Sequence, residues 1–132
     1  MHARIVVVLA LMLILAACNN ANSTSPTEAS PAAAIENFLR TRTGGDENAI
    51  LPLVCKAREQ EGRDTAASFK PMQAEITGLS CTTGAVDGEF TLVSCTGSMT
   101  TTYAGESRTL DLGARQYKAL QENGVWTYCG MK

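Results

Sequence analysis

Histidine is nearly missing from this chain of 132 residues: the single one is His2. Everything after it lacks imidazole. That removes the usual Ser–His–Asp and Cys–His arrangements and imidazole metal ligands. Close cysteine pairs of the C-x₂-C kind, which a structural zinc site wants, are also missing. Gly44-Gly45 leads into Asp46, with no G-K-[ST] behind it to make a phosphate cradle. Basic residues form no run or stripe, and the formal net charge is −2. A nucleic-acid partner calls for a basic face that releases counterions, so that class is set aside. No apolar run reaches the ~20 residues of a transmembrane helix. The expectation is a chain without metal, cofactor or nucleic acid.

What the chain does have begins with "MHARIVVVLALMLILAAC", residues 1–18. Arg4 supplies a positive start. Ile5 to Ala17 is an apolar run of thirteen residues, the size of a signal-peptide core. It stops at Cys18 and turns polar at Asn19-Asn20. Leu15-Ala16-Ala17-Cys18 resembles the bacterial lipobox residue by residue. The resemblance implies that residues 1–17 are removed and that Cys18 receives a diacylglyceryl group. It also implies a protein held on the outer face of a cell membrane or outer membrane. Two acyl chains anchor firmly, at about 0.8 kcal/mol per buried methylene. The following stretch, 19–30, is Asn, Ser, Thr, Pro and Ala with one Glu. It has no large apolar residue to bury and reads as a tether. With Cys18 it makes a segment 18–30, before one domain over 31–132. About a hundred residues suit a single core.

The domain begins with helical signals. Ser30-Pro31 is an N-cap followed by proline at the first helical position. Ile35, Phe38 and Leu39 share one face. Arg40 and Arg42 suit the negative end of the helix, and Gly44-Gly45 stops it. Asp46 caps a second helix running to Cys55, which Pro52 kinks or splits. A third, polar helix runs from about Ala57 to Lys70, weakened by Gly62 and ended by Pro71. The pattern then changes to strands. Asp87-Gly88, Ala104–Ser107 and Glu122–Gly124 mark turns. Between the second and third turns, Arg108 to Gln121 reads as one long strand with a bulge at Gly113. Helices followed by a four-stranded antiparallel meander give an α+β fold, with the helices on one sheet face.

"AIENFL", "LVC", "GLSC", "DGEFTLVSCTG" and "VWTYCGM", in that order, resemble the nuclear transport factor 2-like superfamily. The resemblance spans roughly Pro31 to Met131, and Pro52 departs from it. It implies helices covering a strongly curved, cone-like sheet. Ile35, Phe38, Leu39, Val93 and Leu112 would then line a pocket for a small apolar ligand. Enzymatic members would use Asp and Tyr inside the cone, which draws attention to Asp111 and Tyr117. Trp126 and Tyr128 alternate on the last strand and read as core or rim packing. Asp46 and Glu47 read as a helix start, Glu59 and Glu61 as a solvated face, and Asp87 as a turn.

Five cysteines are an odd number for an exported protein. With Cys18 given to lipid, Cys55, Cys81, Cys95 and Cys129 remain, and four allow three connectivities. Cys81 and Cys95 flank the Asp87-Gly88 turn nearly symmetrically. A two-residue turn leaves them one residue out of register, which a bulge would repair. The positions favour Cys81–Cys95 across the hairpin and Cys55–Cys129 from helix to last strand. The functional expectation is a lipid-anchored, non-catalytic module for a small apolar ligand or an envelope protein. The alternatives are a structural domain with a closed cone, and an isomerase- or hydrolase-like enzyme using Asp and Tyr.

Overall fold

A computed structural model describes residues 29–132. Cys18, the leader and the tether up to residue 28 lie outside the described residues. The first helix, α1 (Pro31–Arg42), starts as its sequence dictates: the Ser30 hydroxyl accepts from the Ala33 N–H at 3.1 Å, with Pro31 next to it. Ile35, Phe38 and Leu39 are buried. The turn that follows needs glycine at 45, where φ is +63° and a Cβ would sit 2.6 Å from the Lys70 nitrogen.

The second helix is much shorter than its sequence suggested. α2 covers only Glu47–Ile50, and Pro52 sits in a separate 3₁₀ turn, Leu51–Leu53. Proline cannot donate to a helical ladder. The chain instead extends, so that Val54 forms a parallel bridge with Tyr128 and the Cys55 N–H donates to the Tyr128 carbonyl at 2.8 Å. A second 3₁₀ turn, Lys56–Arg58, leads into α3 (Glu59–Phe69). Gly62 is buried there, and a Cβ on it would press on Val54 and Leu51. The residue that costs helix propensity lets α3 approach the α2 segment closely.

Five antiparallel strands follow: β1 (Gln73–Asp87), β2 (Phe90–Tyr103), β3 (Glu106–Asp111), β4 (Gln116–Glu122) and β5 (Val125–Met131). The expected four-stranded meander is thus corrected to five strands in an open sheet. The long third strand is broken, and Gly113 lies in a turn rather than a bulge. Asp111 Oδ1 accepts from the Gly113 N–H at 2.8 Å, and the Leu112 N–H donates to the Gly97 carbonyl at 2.9 Å. Leu112 then turns fully inward. β3 pairs with Ser98–Tyr103 of β2, and β4 pairs with Thr91–Ser94 of the same strand.

In the first hairpin, Asp87 pairs with Phe90 next to the turn, and Cys81 pairs with Cys95. The register shifts between Thr83 and Val86, where Gly84 and Ala85 stand opposite Leu92. That extra residue removes the mismatch expected from the sequence. A second shift lies between Thr77 and Ser80, where a Cβ on Gly97 would overlap the Gly78 backbone at 2.7 Å. Two bulges interrupt the pairing of β1, and a bulged strand bends and twists more strongly. α1 covers part of its edge: Glu36 Oε1 accepts from the Cys81 N–H at 2.7 Å, and Arg40 donates to the Leu79 carbonyl at 3.4 Å.

Candidate functional site

The helix-covered face of the sheet is packed, and this corrects the expected pocket lining. Ile35, Phe38, Leu39, Val93 and Leu112 belong to one core with Ile50, Val54, Met99, Ala119, Tyr117 and Tyr128. None of the five is more than 1% exposed. The Phe38 ring stacks on Tyr128, with centroids 3.9 Å apart and planes 6° from parallel. Apolar residues at the expected positions therefore fill the interior with each other.

Next to this core lies a polar layer. The Tyr128 hydroxyl donates to Glu61 Oε1 at 2.7 Å, and Arg58 pairs with Glu61 Oε2 at 3.1 Å. Glu61 is thus tied to the last strand rather than simply solvated. The Tyr117 hydroxyl donates to the Leu112 carbonyl at 3.0 Å. The Arg42 guanidinium lies over two rings, 5.8 Å from the Phe38 centroid and 5.6 Å from that of Phe69. Its Nη2 meets the Met99 thioether at 4.0 Å, and among the described residues its enclosed Nε has no hydrogen-bond partner. Burial lowers the Arg42 pKa, opposed by the phenols of Tyr117 and Tyr128. Sequence reasoning placed Arg42 at the helix end and missed that it points inward.

Burial is the main cause that raises both phenols above the ordinary tyrosine value. For Tyr128 the hydrogen bond to Glu61 adds to it, and for Tyr117 Arg42 opposes it. In the unfolded chain both ionise near pH 10, while in the fold they keep their protons longer. Their contribution is therefore complete below pH ~10 and is lost as pH rises through the folded values. Urea unfolding at rising alkaline pH should show stability falling, with a shallower fall in Tyr128→Phe. An identical slope in the variant would refute the assignment.

Asp111 and Tyr117 sit close enough to interact, but each is engaged in the local backbone. Asp111 closes the turn at Gly113, and Tyr117 holds the Leu112 carbonyl. Asp46 caps α2 through the Asn48 N–H, Glu47 pairs with Arg63, and Asp87 pairs with Lys132. Trp126 packs partly against the core and, with Val125 and Leu53, borders a groove at the start of α1. Cys55 and Cys129 stand at disulfide distance, with Cα atoms 5.2 Å apart, and so do the cross-strand partners Cys81 and Cys95. Among the described residues no helix is long and apolar enough to cross a membrane, and no cluster of His, Cys, Asp and Glu could hold a metal.

No protein-family model matches the chain, and no curated protein is similar to it in sequence. Among solved structures it is similar to RPA3114, a SEC-C motif containing protein from Rhodopseudomonas palustris. The identity is 13% and the TM-score 0.52, over 79% of this chain and 78% of that one. The likeness is one of α+β fold alone. A chain named Rd1NTF2_05, carrying five substitutions, is 16% identical at a TM-score of 0.49, over 76% of this chain and 92% of that one.

Proposed function

We propose that this chain is an extracytoplasmic lipoprotein, anchored through Cys18, whose domain over 31–132 is a non-catalytic binding or interaction module with a nuclear transport factor 2-like cone. The cysteine arithmetic carries the reading. Of five cysteines, four stand in two pairs, and Cys18 is the one left over. It directly follows the apolar run and the small residues that a lipobox needs. Two cross-links in a domain of this size also suit an oxidising compartment outside the cytoplasm.

The module meets its partner beside the core rather than within it, since the core is filled by its own side chains. The same filling favours a second reading, a structural accessory domain with a closed cone. An enzyme using Asp111 and Tyr117 is the third, and turnover that vanishes in Asp111→Asn would establish it. Intact-mass analysis of protein extracted from membranes tests the anchor. The expected mass is that of a chain beginning at Cys18 plus a diacylglyceryl group and its acyl chains. A soluble form starting elsewhere, or a Cys18→Ser chain that is still cleaved at the same bond and stays on the membrane, would overturn the reading.

A further inference from the structure

The described residues begin at Ala29, and Ala29 and Ser30 already line a groove of about 520 Å³. Its other walls come from α1, from Leu53 in the 3₁₀ turn Leu51–Leu53, and from Val125 and Trp126 at the start of β5. The chain therefore enters the domain at the groove that its single tryptophan borders. β5 reaches this groove from a hairpin tip. Asn123 and Gly124 both take positive φ, and Glu122 pairs with Val125 across them. Val125 is an apolar side chain left 56% exposed there. Trp126 packs partly against the core and keeps part of its surface open. An indole that is apolar on one side and wet on the other suits the boundary between lipid tails and water.

A cation stands beside the same tip. The Lys56 N–H donates to Glu122 Oε2 at 3.0 Å, which sets Lys56 against the residue that pairs with Val125. Lys56 is exposed, and among the described residues its ammonium pairs with no carboxylate. A lysine next to interfacial apolar groups can reach the phosphates of a lipid surface. The patch is small, and by itself it would hold a membrane weakly. The place where the chain enters changes that balance. Covalent geometry limits the stretch from Cys18 to Ala29 to about 40 Å, even fully extended. With Cys18 in the bilayer, this end of the domain cannot leave its neighbourhood. The contact then becomes intramolecular, at an effective concentration on the order of millimolar.

We infer that the domain rests on the lipid surface through this end, with Val125 and Trp126 at the boundary of the acyl chains and Lys56 on the phosphates. This rests on the reading of Cys18 as the anchor. Because Trp126 is the single tryptophan, its fluorescence reports on this face alone. Protein extracted from membranes is placed in vesicles of phosphatidylcholine and phosphatidylglycerol, with acyl chains either plain or brominated near the headgroup. A tryptophan seated at the interface should be quenched about twofold by the brominated lipid. Val125→Asp and Lys56→Glu, both at exposed positions, should each lower that quenching while the chain still floats with the vesicles. A chain that floats with the vesicles but whose Trp126 emission ignores the bromines overturns this inference and leaves the anchor standing. So does quenching that neither variant lowers. A chain that does not float overturns the anchor, and this inference with it.

Discussion

Replacing Cys55 and Cys129 together by alanine lowers the stability of the folded domain by about 4 kcal/mol on the chain-entropy model of a cross-link. The two residues are 74 apart in sequence, so their bond removes a large loop's freedom from the unfolded chain. The corresponding fall in Tm is roughly 15–30 °C for a domain of this size. About 4 kcal/mol is a large share of a typical domain's whole margin of roughly 5–15 kcal/mol. The same pair of substitutions at Cys81 and Cys95, 14 apart, costs about 3 kcal/mol. Position strengthens the contrast. Cys55 follows the Val54 bridge to Tyr128, so this link ties the helical layer to the outer edge of β5. The hairpin link joins two strands that are already paired in register. Urea unfolding of the two double variants measures both. Equal costs, or a larger cost for the hairpin pair, would defeat the loop-length argument.

The first helix was legible because several local signals agree at its ends: a serine cap, a proline that fits the first turn, an apolar face and a glycine stop. The first hairpin was legible for a similar reason. The Asp87-Gly88 turn sets the count, and the placement of Cys81 and Cys95 demanded one extra residue, which Gly84 and Ala85 supply. The broken third strand was hidden because both halves pair with the same neighbour, β2, and both carry strand-like residues. Only Asp111-Leu112-Gly113 marks the break, and a strand bulge uses much the same residues. Pro52 announced a conflict in the second helix without saying that the chain would leave the helix to pair with Tyr128.

Arg42 shows a different kind of blindness. It lies seven residues after Ile35 and four after Phe38, on the same apolar stripe of α1. Helical spacing therefore pointed it inward, while its charge and its place in the last turn suggested the helix end. The period was the better guide, because Phe38 and Phe69 provide faces on which a guanidinium can rest. Glu61 was misjudged for the complementary reason. A polar helix face reads as solvated until a buried hydroxyl, here that of Tyr128, needs an acceptor. The pocket was the least legible feature. A cavity wall and a filled core have the same alternation of apolar residues, and what separates them is how closely the opposing element approaches.

Phe38→Ala turns that last distinction into a measurement. Phe38 is 1% exposed, stacks face to face on Tyr128 and lies under Arg42. If it lined an open pocket, truncation would only enlarge the pocket, at small cost to stability. In a filled core it removes the ring's burial and leaves a cavity, a loss of about 3–5 kcal/mol. The variant is therefore expected to lose that much in urea unfolding, with Phe38→Leu losing clearly less because it retains most of the buried volume. Part of the loss belongs to the stack itself, worth about 0.5–1.5 kcal/mol beyond area burial. A double-mutant cycle with Tyr128→Leu should return a coupling of that size, since the two rings are in direct contact. Loss of less than about 1 kcal/mol in Phe38→Ala would mean that the space around the ring is open and that the interior is not a filled core.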